Sequence, residues 1–168
     1  MELTIYTQET APENSKEALA QAKETFGFIP NLEGICAESP VFLRGCMSLW
    51  ELFSQSSLST LEQQVVHLTT SYENECHYCM AAHTGLAKKV GLSTDNIEAL
   101  RNGTLLQESK LEALHQFTQS MVNKRGWVEE GEVEAFLAAG YSKQQVLEVI
   151  LGIALKTMHN YTNHLAQT

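Results

Sequence analysis

Apolar residues recur along this chain at helical spacing, and no segment sustains the alternation of a strand. Phe42, Cys46, Leu49, Trp50 and Phe53 follow one another at intervals of four, three, one and three, forming one apolar stripe. Ser39-Pro40 stands before it as an N-cap with proline at the first helical position. Ser59-Thr60-Leu61-Glu62 reads as a capping box opening a helix with Leu61, Val65, Leu68 and Tyr72 on its buried side. Asn74 reads as the cap of the next helix, which runs to Val90 ahead of Gly91. Ser109-Lys110-Leu111-Glu112 reads as a second capping box, with its helix reaching Arg125. Ser142 caps a long last helix whose buried side is read as Val146, Val149, Ile150, Ile153, Ala154 and Leu155. Shorter helices are read over Pro12 to Phe26, Thr94 to Arg101 and Glu129 to Ala139, with Gly27, Gly103 and Gly140 past their ends. Phe28 to Leu32 reads as a non-helical connection, because the residue before a proline avoids the α region. The pattern predicts one all-α domain of about seven helices over residues 1–168.

Composition narrows the function classes. A net charge of −9 disfavours non-specific nucleic-acid binding and anionic membranes, both of which need a basic surface. The apolar fraction of 43% suits a packed core, and no apolar run has the length of a membrane span. Met1-Glu2-Leu3-Thr4 lacks the basic-then-apolar order of a signal peptide, so the expectation is a cytoplasmic protein with reduced thiols. Four cysteines are too few for a disulfide scaffold, so their spacing matters more than their number.

The chemistry concentrates in Cys76-His77-Tyr78-Cys79-Met80-Ala81-Ala82-His83. Cys76, Cys79 and His83 are separated by three and four residues, which places them within roughly 60° of helix surface. With Asn74 as cap, Cys76 falls in the first turn, where free N–H groups and the helix dipole favour a thiolate. A dithiol so spaced can close a disulfide locally, and an imidazole one turn on can move a proton. Chance co-occurrence of buried cysteines is one alternative. Zinc is another: Cys76, Cys79 and His83 would need a fourth ligand, for which His67 and His115 are the available histidines. His77 points off the stripe and is read as solvated. Cys36 and Cys46 have no partner close in sequence and are read as core thiols.

The motif Cys-x-Tyr-Cys-x-Ala-Ala-His, preceded by Leu-Ser-x-Leu-Glu-x-Gln-Val-Val, resembles the carboxymuconolactone decarboxylase superfamily, and within it the AhpD-like alkylhydroperoxidase branch. Gly27-Phe28-Ile29-Pro30-Asn31-Leu32, Ser39-Pro40, Gly91-Leu92, Ile97-Glu98-Ala99-Leu100-Arg101-x-Gly103 and Asn160-Tyr161-x-Asn163-His164 extend the likeness over nearly the whole chain. The resemblance implies an all-helical fold, assembly into trimers or hexamers, and a CxxC hydroperoxide reductase. It makes Cys79 the attacking thiol, Cys76 the resolving thiol and His83 the relay histidine. It implies a redox-active Cys76–Cys79 disulfide with no other cofactor, a hydroperoxide substrate, and a lipoyl- or thioredoxin-like protein as reductant.

One departure bears on mechanism. The family has a glutamate twelve residues before the first cysteine, where this chain has Gln64, and an amide cannot take up a proton at neutral pH. Glu73, Glu62 and His67 are the candidates to replace it, Glu62 being claimed equally by its capping box. Two other functions share the fold or the motif: a lyase acting on a small lactone acid, which works without the cysteine pair, and a non-catalytic redox-sensing or zinc-binding module. Asn160 and His164 share a helix face and are read as a polar helix end or subunit contact.

Overall fold

The computed structural model describes residues 2–168; Met1, the first residue of the expected domain, lies outside them. The described residues are helical with no strand. A 3-10 turn, Glu13–Ser15, leads into α1 (Lys16–Phe26), α2 (Asn31–Cys36), α3 (Pro40–Ser54), α4 (Thr60–Glu73) and α5 (His77–Lys89). These are followed by α6 (Thr94–Asn102), α7 (Ser109–Asn123), α8 (Glu130–Ala138) and α9 (Lys143–Ala166). Nine α-helices stand among the described residues, eight of them over segments read as helical, where a total of about seven was expected. The missed element is α2, which begins inside the segment read as a connection. Pro30 restricts Ile29 before it but not the residues after it, and with ψ at 152° it serves as the N-cap from which Asn31 turns helical.

Several caps fall where the sequence places them. Ser59 N donates to Glu62 Oε2 at 2.8 Å and Glu62 N donates to Ser59 Oγ at 3.3 Å, completing the capping box. Gly27 ends α1 with φ at 82°, a left-handed conformation open to glycine. The second expected box does not form. α7 starts one residue early, with Glu108 as N-cap, and Glu112 Oε2 instead accepts from Leu106 N at 2.7 Å.

The chain forms two compact units. One comprises the residues up to Leu52 together with Tyr161–Thr168; the other is Phe53–Asn160. In the first, Tyr6 N donates to Gly34 O at 3.2 Å, and a Cβ on Gly34 would sit 2.8 Å from Tyr6 O. Phe26 meets Trp50 edge to face at 5.2 Å, so Trp50 is half-buried rather than fully in the stripe. Cys36 and Cys46 are buried and hydrogen-bonded to each other. Each supplies the partner that sequence proximity did not reveal.

In the second unit α4 is central and packs against α5, α6 and α7. Its residues from Glu62 to Ser71 are all buried, so the helix has no solvent side over that stretch, while Tyr72 is partly exposed over Gly103. Phe117, Phe136 and Tyr141 stack at successive 4.4 Å centroid spacings. Along α9 the expected apolar side is only partly the buried one. Val149 and Leu155 are buried, but Ile150 is 42% exposed and Ala154 faces out. The buried face continues instead through Gly152, Lys156, His159 and Asn160.

Candidate functional site

The turn between α4 and α5 sets the first thiol. Asn74 caps the C-terminus of α4, not the N-terminus of α5 as the spacing suggested. Glu75 follows in the left-handed region at φ 56°, a strained position for a residue with a Cβ. Glu75 N donates to Tyr72 O and Cys76 N to Ser71 O, each at 2.9 Å, closing a Schellman motif. Cys76 is thereby pinned in extended backbone as the N-cap of α5 instead of lying in its first turn. Cys79 stands one turn on and His83 one turn further along the same face.

Both cysteines are reduced thiols, each 2% exposed. The Cys76 thiol is hydrogen-bonded to the Cys79 thiol, which together with burial pushes it well above the ordinary thiol range. The Cys79 backbone amide and the Asn160 side chain act in the opposite sense. In the reduced pair, thiol–thiol pairing and desolvation therefore outweigh the helix end that the sequence reading relied on.

His83 is buried and held on both ring nitrogens. Its Nδ1 lies 2.8 Å from Gln64 Oε1; an amide oxygen only accepts, so Nδ1 carries the proton. Nε2 then presents its lone pair, and Lys156 Nζ donates to it. The His67 ring lies 4.5 Å from that of His83 and packs on Phe53 at 4.9 Å. Burial, and after it the Lys156 charge, holds both imidazoles well below their usual range; His159 is depressed for the same two reasons.

Two residues of α9 complete the arrangement. Lys156, 2% exposed, meets His83, and Asn160 one turn on meets Cys76. Asn160 Oδ1 accepts from Asn74 Nδ2 at 3.0 Å, and its Nδ2 donates to Ser71 Oγ at 3.4 Å. α9 thus spans the α5 face with two polar rungs, and Cys79 falls between their levels. Asn160 is consequently a buried contact of the thiol pair, not the helix end or subunit contact expected of it; His164 of the same segment is exposed.

Of the residues singled out in the sequence, Cys76, Cys79, His83, Gln64 and His67 come together here. Glu62 is held by Ser59 and pairs with Lys110 at 3.1 Å. Glu73 accepts from Gln119 and Asn123 at 2.7 Å each, turning its carboxylate toward α7. His115 is bonded through Nδ1 to Thr69 at 2.8 Å, and His77 is exposed as read. Lys156, His159 and Ser71 were not foreseen, and Asn160 was read only as a helix end or subunit contact. The one signal for the α9 residues was a polar run, Lys156-x-x-His159-Asn160, in an otherwise apolar helix. An open cleft of about 560 Å³, lined by Ser71, Tyr72, Glu73, Glu75, His77, Met80 and Arg101, adjoins the α4–α5 turn that carries Cys76.

Residues 40–106 match the carboxymuconolactone decarboxylase family. No curated protein matches the chain. Among solved structures, a peroxidase-related protein from Silicibacter sp. TM1040 is 18% identical with a TM-score of 0.82, covering 100% of this chain and 89% of that one. A peroxidase-related protein with an alkylhydroperoxidase AhpD core, from Ralstonia eutropha JMP134, is 16% identical with a TM-score of 0.83, covering 96% and 87%. The debrominase Bmp8 in complex with 2,3,4-tribromopyrrole is 14% identical with a TM-score of 0.82, covering 99% and 89%.

Proposed function

We propose that this chain is a member of the carboxymuconolactone decarboxylase superfamily in its AhpD-like branch and a thiol-dependent hydroperoxide reductase. The observation that carries the reading is a hydrogen-bonded pair of buried thiols, Cys76 and Cys79, one helical turn from the buried His83. Cys79, as thiolate, attacks the O–O bond, becomes a sulfenic acid and releases an alcohol once the leaving oxygen is protonated. Cys76 condenses with the sulfenic acid, forming the disulfide and releasing water. An external dithiol, lipoyl- or thioredoxin-like, restores the pair by exchange, and no cofactor beyond that disulfide takes part. The setting is cytoplasmic, and neither nucleic acid nor a membrane is a partner. No helix among the described residues is long and apolar enough to cross a membrane.

The working assembly is a homo-oligomer, a trimer or hexamer. Leu147 and Ile150 on the outer side of α9 are 67% and 42% exposed, and a second copy of the chain would cover them.

Hydroperoxide consumption with a dithiol reductant tests the reading. Cys79→Ser should abolish turnover, whereas Cys76→Ser should keep one oxidation of Cys79 and lose recycling. Absence of turnover in the parent with every dithiol tried would sink the peroxidase reading. Turnover of a small lactone acid would favour the lyase, and stoichiometric zinc in protein purified without added metal would favour the interaction module. The likeness to a debrominase supports one further substrate for the same assay, a bromopyrrole: replacing its bromine by hydrogen, with release of bromide and a proton, would oxidise the two thiols to the disulfide.

A further inference from the structure

The peroxidase reading leaves a proton unaccounted for. Breaking the O–O bond by a thiolate leaves an alkoxide, which must gain a proton, and forming the thiolate first releases one. Gln64, where a carboxylate would do this work, is an amide that takes up no proton, and its Oε1 accepts a hydrogen bond from His83 Nδ1. Glu62 and Glu73 are engaged in the capping box and on α7. The group that meets the other nitrogen of His83 is Lys156.

We propose that Lys156 is a positioning residue for the thiol chemistry: it fixes His83 through Nε2 and keeps in that hydrogen bond the proton that Gln64 cannot supply. With Nδ1–H given to Gln64, the lone pair on Nε2 is its only basic site, and the Lys156 ammonium occupies it. His83 and Lys156 therefore work as one proton-holding unit. When the alkoxide leaves, a proton passes from this unit to oxygen, and the next thiol to ionise at Cys79 returns one. No electrons move in either transfer. The titratable groups that face Lys156 are His83 from α5, His67 from α4 and His159 from its own helix, with the Cys76–Cys79 thiols further along α5. A lysine amine removed from water can hold or release a proton near neutral pH, which an arginine does not do. α9 supplies the rigid support, since Asn160 one turn on is anchored to Asn74 and Ser71.

The inference rests on the peroxidase reading for its purpose but not for its test. With 15N-labelled histidine, the parent should give His83 as a fixed tautomer, with Nδ1 protonated and Nε2 a hydrogen-bonded acceptor. Lys156→Met should lose that fixed pattern and slow single-turnover oxidation of Cys79, in a Cys76→Ser background, by about 10²-fold. Lys156→Arg should restore the tautomer while leaving oxidation at least about tenfold slow, because a guanidinium holds the ring yet keeps its proton. A folded Lys156→Met with an unchanged His83 pattern overturns the inference. If that variant does not fold, a Lys156→Arg protein that oxidises as fast as the parent overturns it. If the parent consumes no hydroperoxide, the proposed function falls, and the tautomer pattern together with the rate of Cys79 alkylation by iodoacetamide still judges Lys156.

Discussion

Gln64 determines which nitrogen of His83 carries the proton, through one hydrogen bond of 2.8 Å. Gln64→Glu exchanges the amide for a carboxylate of nearly the same shape, placed against Nδ1–H and close to the Lys156 charge beyond the ring. A buried carboxylate there favours a charged imidazole, opposing the burial that now depresses it. The expected outcome is a His83 titration moved upward and faster Cys79 oxidation near neutral pH, read by 15N shifts and by a pH–rate profile. An unmoved His83 titration would count against any contact between the two groups in solution. The sequence made half of this site legible. Cys76, Cys79 and His83 lie on one helix, so spacing alone places them on one face. Lys156 and Asn160 reach the same place from more than seventy residues away, a distance across which local periodicity carries no information. Glu62 had two equal readings, and the capping hydrogen bonds select one of them.

Among the elements, α9 depends on one missing side chain. A Cβ on Gly152 would lie 2.6 Å from Phe53 Cζ and 2.9 Å from Val66 Cγ1, and both neighbours are fully buried. Gly152→Ala gains about 1 kcal/mol of helix propensity but must displace an aromatic ring in a close-packed interior, where overpacking costs roughly 1–3 kcal/mol. A net loss of stability is expected, visible as a lower urea midpoint with unchanged slope; an unchanged or raised midpoint would mean that Phe53 yields freely. Phe53 also carries the His67 ring, so the same variant should disturb the imidazole pair. The helices themselves were largely readable, because caps and stops are local chemistry: Ser59 with Glu62, Ser39 with Pro40, and Gly27 act as read. Errors arose where tertiary contacts override pattern. Asn74 turned out to close a helix because the Schellman bonds through Glu75 and Cys76 claim that turn. The apolar side of α9 was misassigned because its true buried face is polar, and that polar face meets His83 and Cys76.

For the molecule as a whole, the four buried histidines outweigh the acidic surface in deciding how stability follows pH. Burial holds His67, His83, His159 and His115 below the ordinary imidazole value of 6.5 in the folded chain. Unfolding exposes each to water, where it regains that value. Below about pH 7 the unfolded chain therefore binds more protons than the folded one, and stability falls as pH falls. While a histidine is charged only when unfolded, its contribution to the slope is about 1.4 kcal/mol per pH unit. The net charge of −9 works in the other direction, since acid relieves repulsion at the surface. Surface charges are screened within about 8 Å at physiological salt, whereas the imidazoles are out of solvent, so the buried groups win. The carboxylates whose pKa values are lowered, Glu9, Glu62, Glu132 and Glu148, lose their contribution only below the usual carboxylate value of 4.5, which leaves a separate window for the histidines. Thermal melts between pH 7.5 and 5 should show a melting temperature that drops steadily through that range. His115→Gln, away from the thiols, should make the drop shallower by about one histidine's share. A melting temperature that stays flat down to pH 5 would mean that these imidazoles remain accessible to protons in the folded chain.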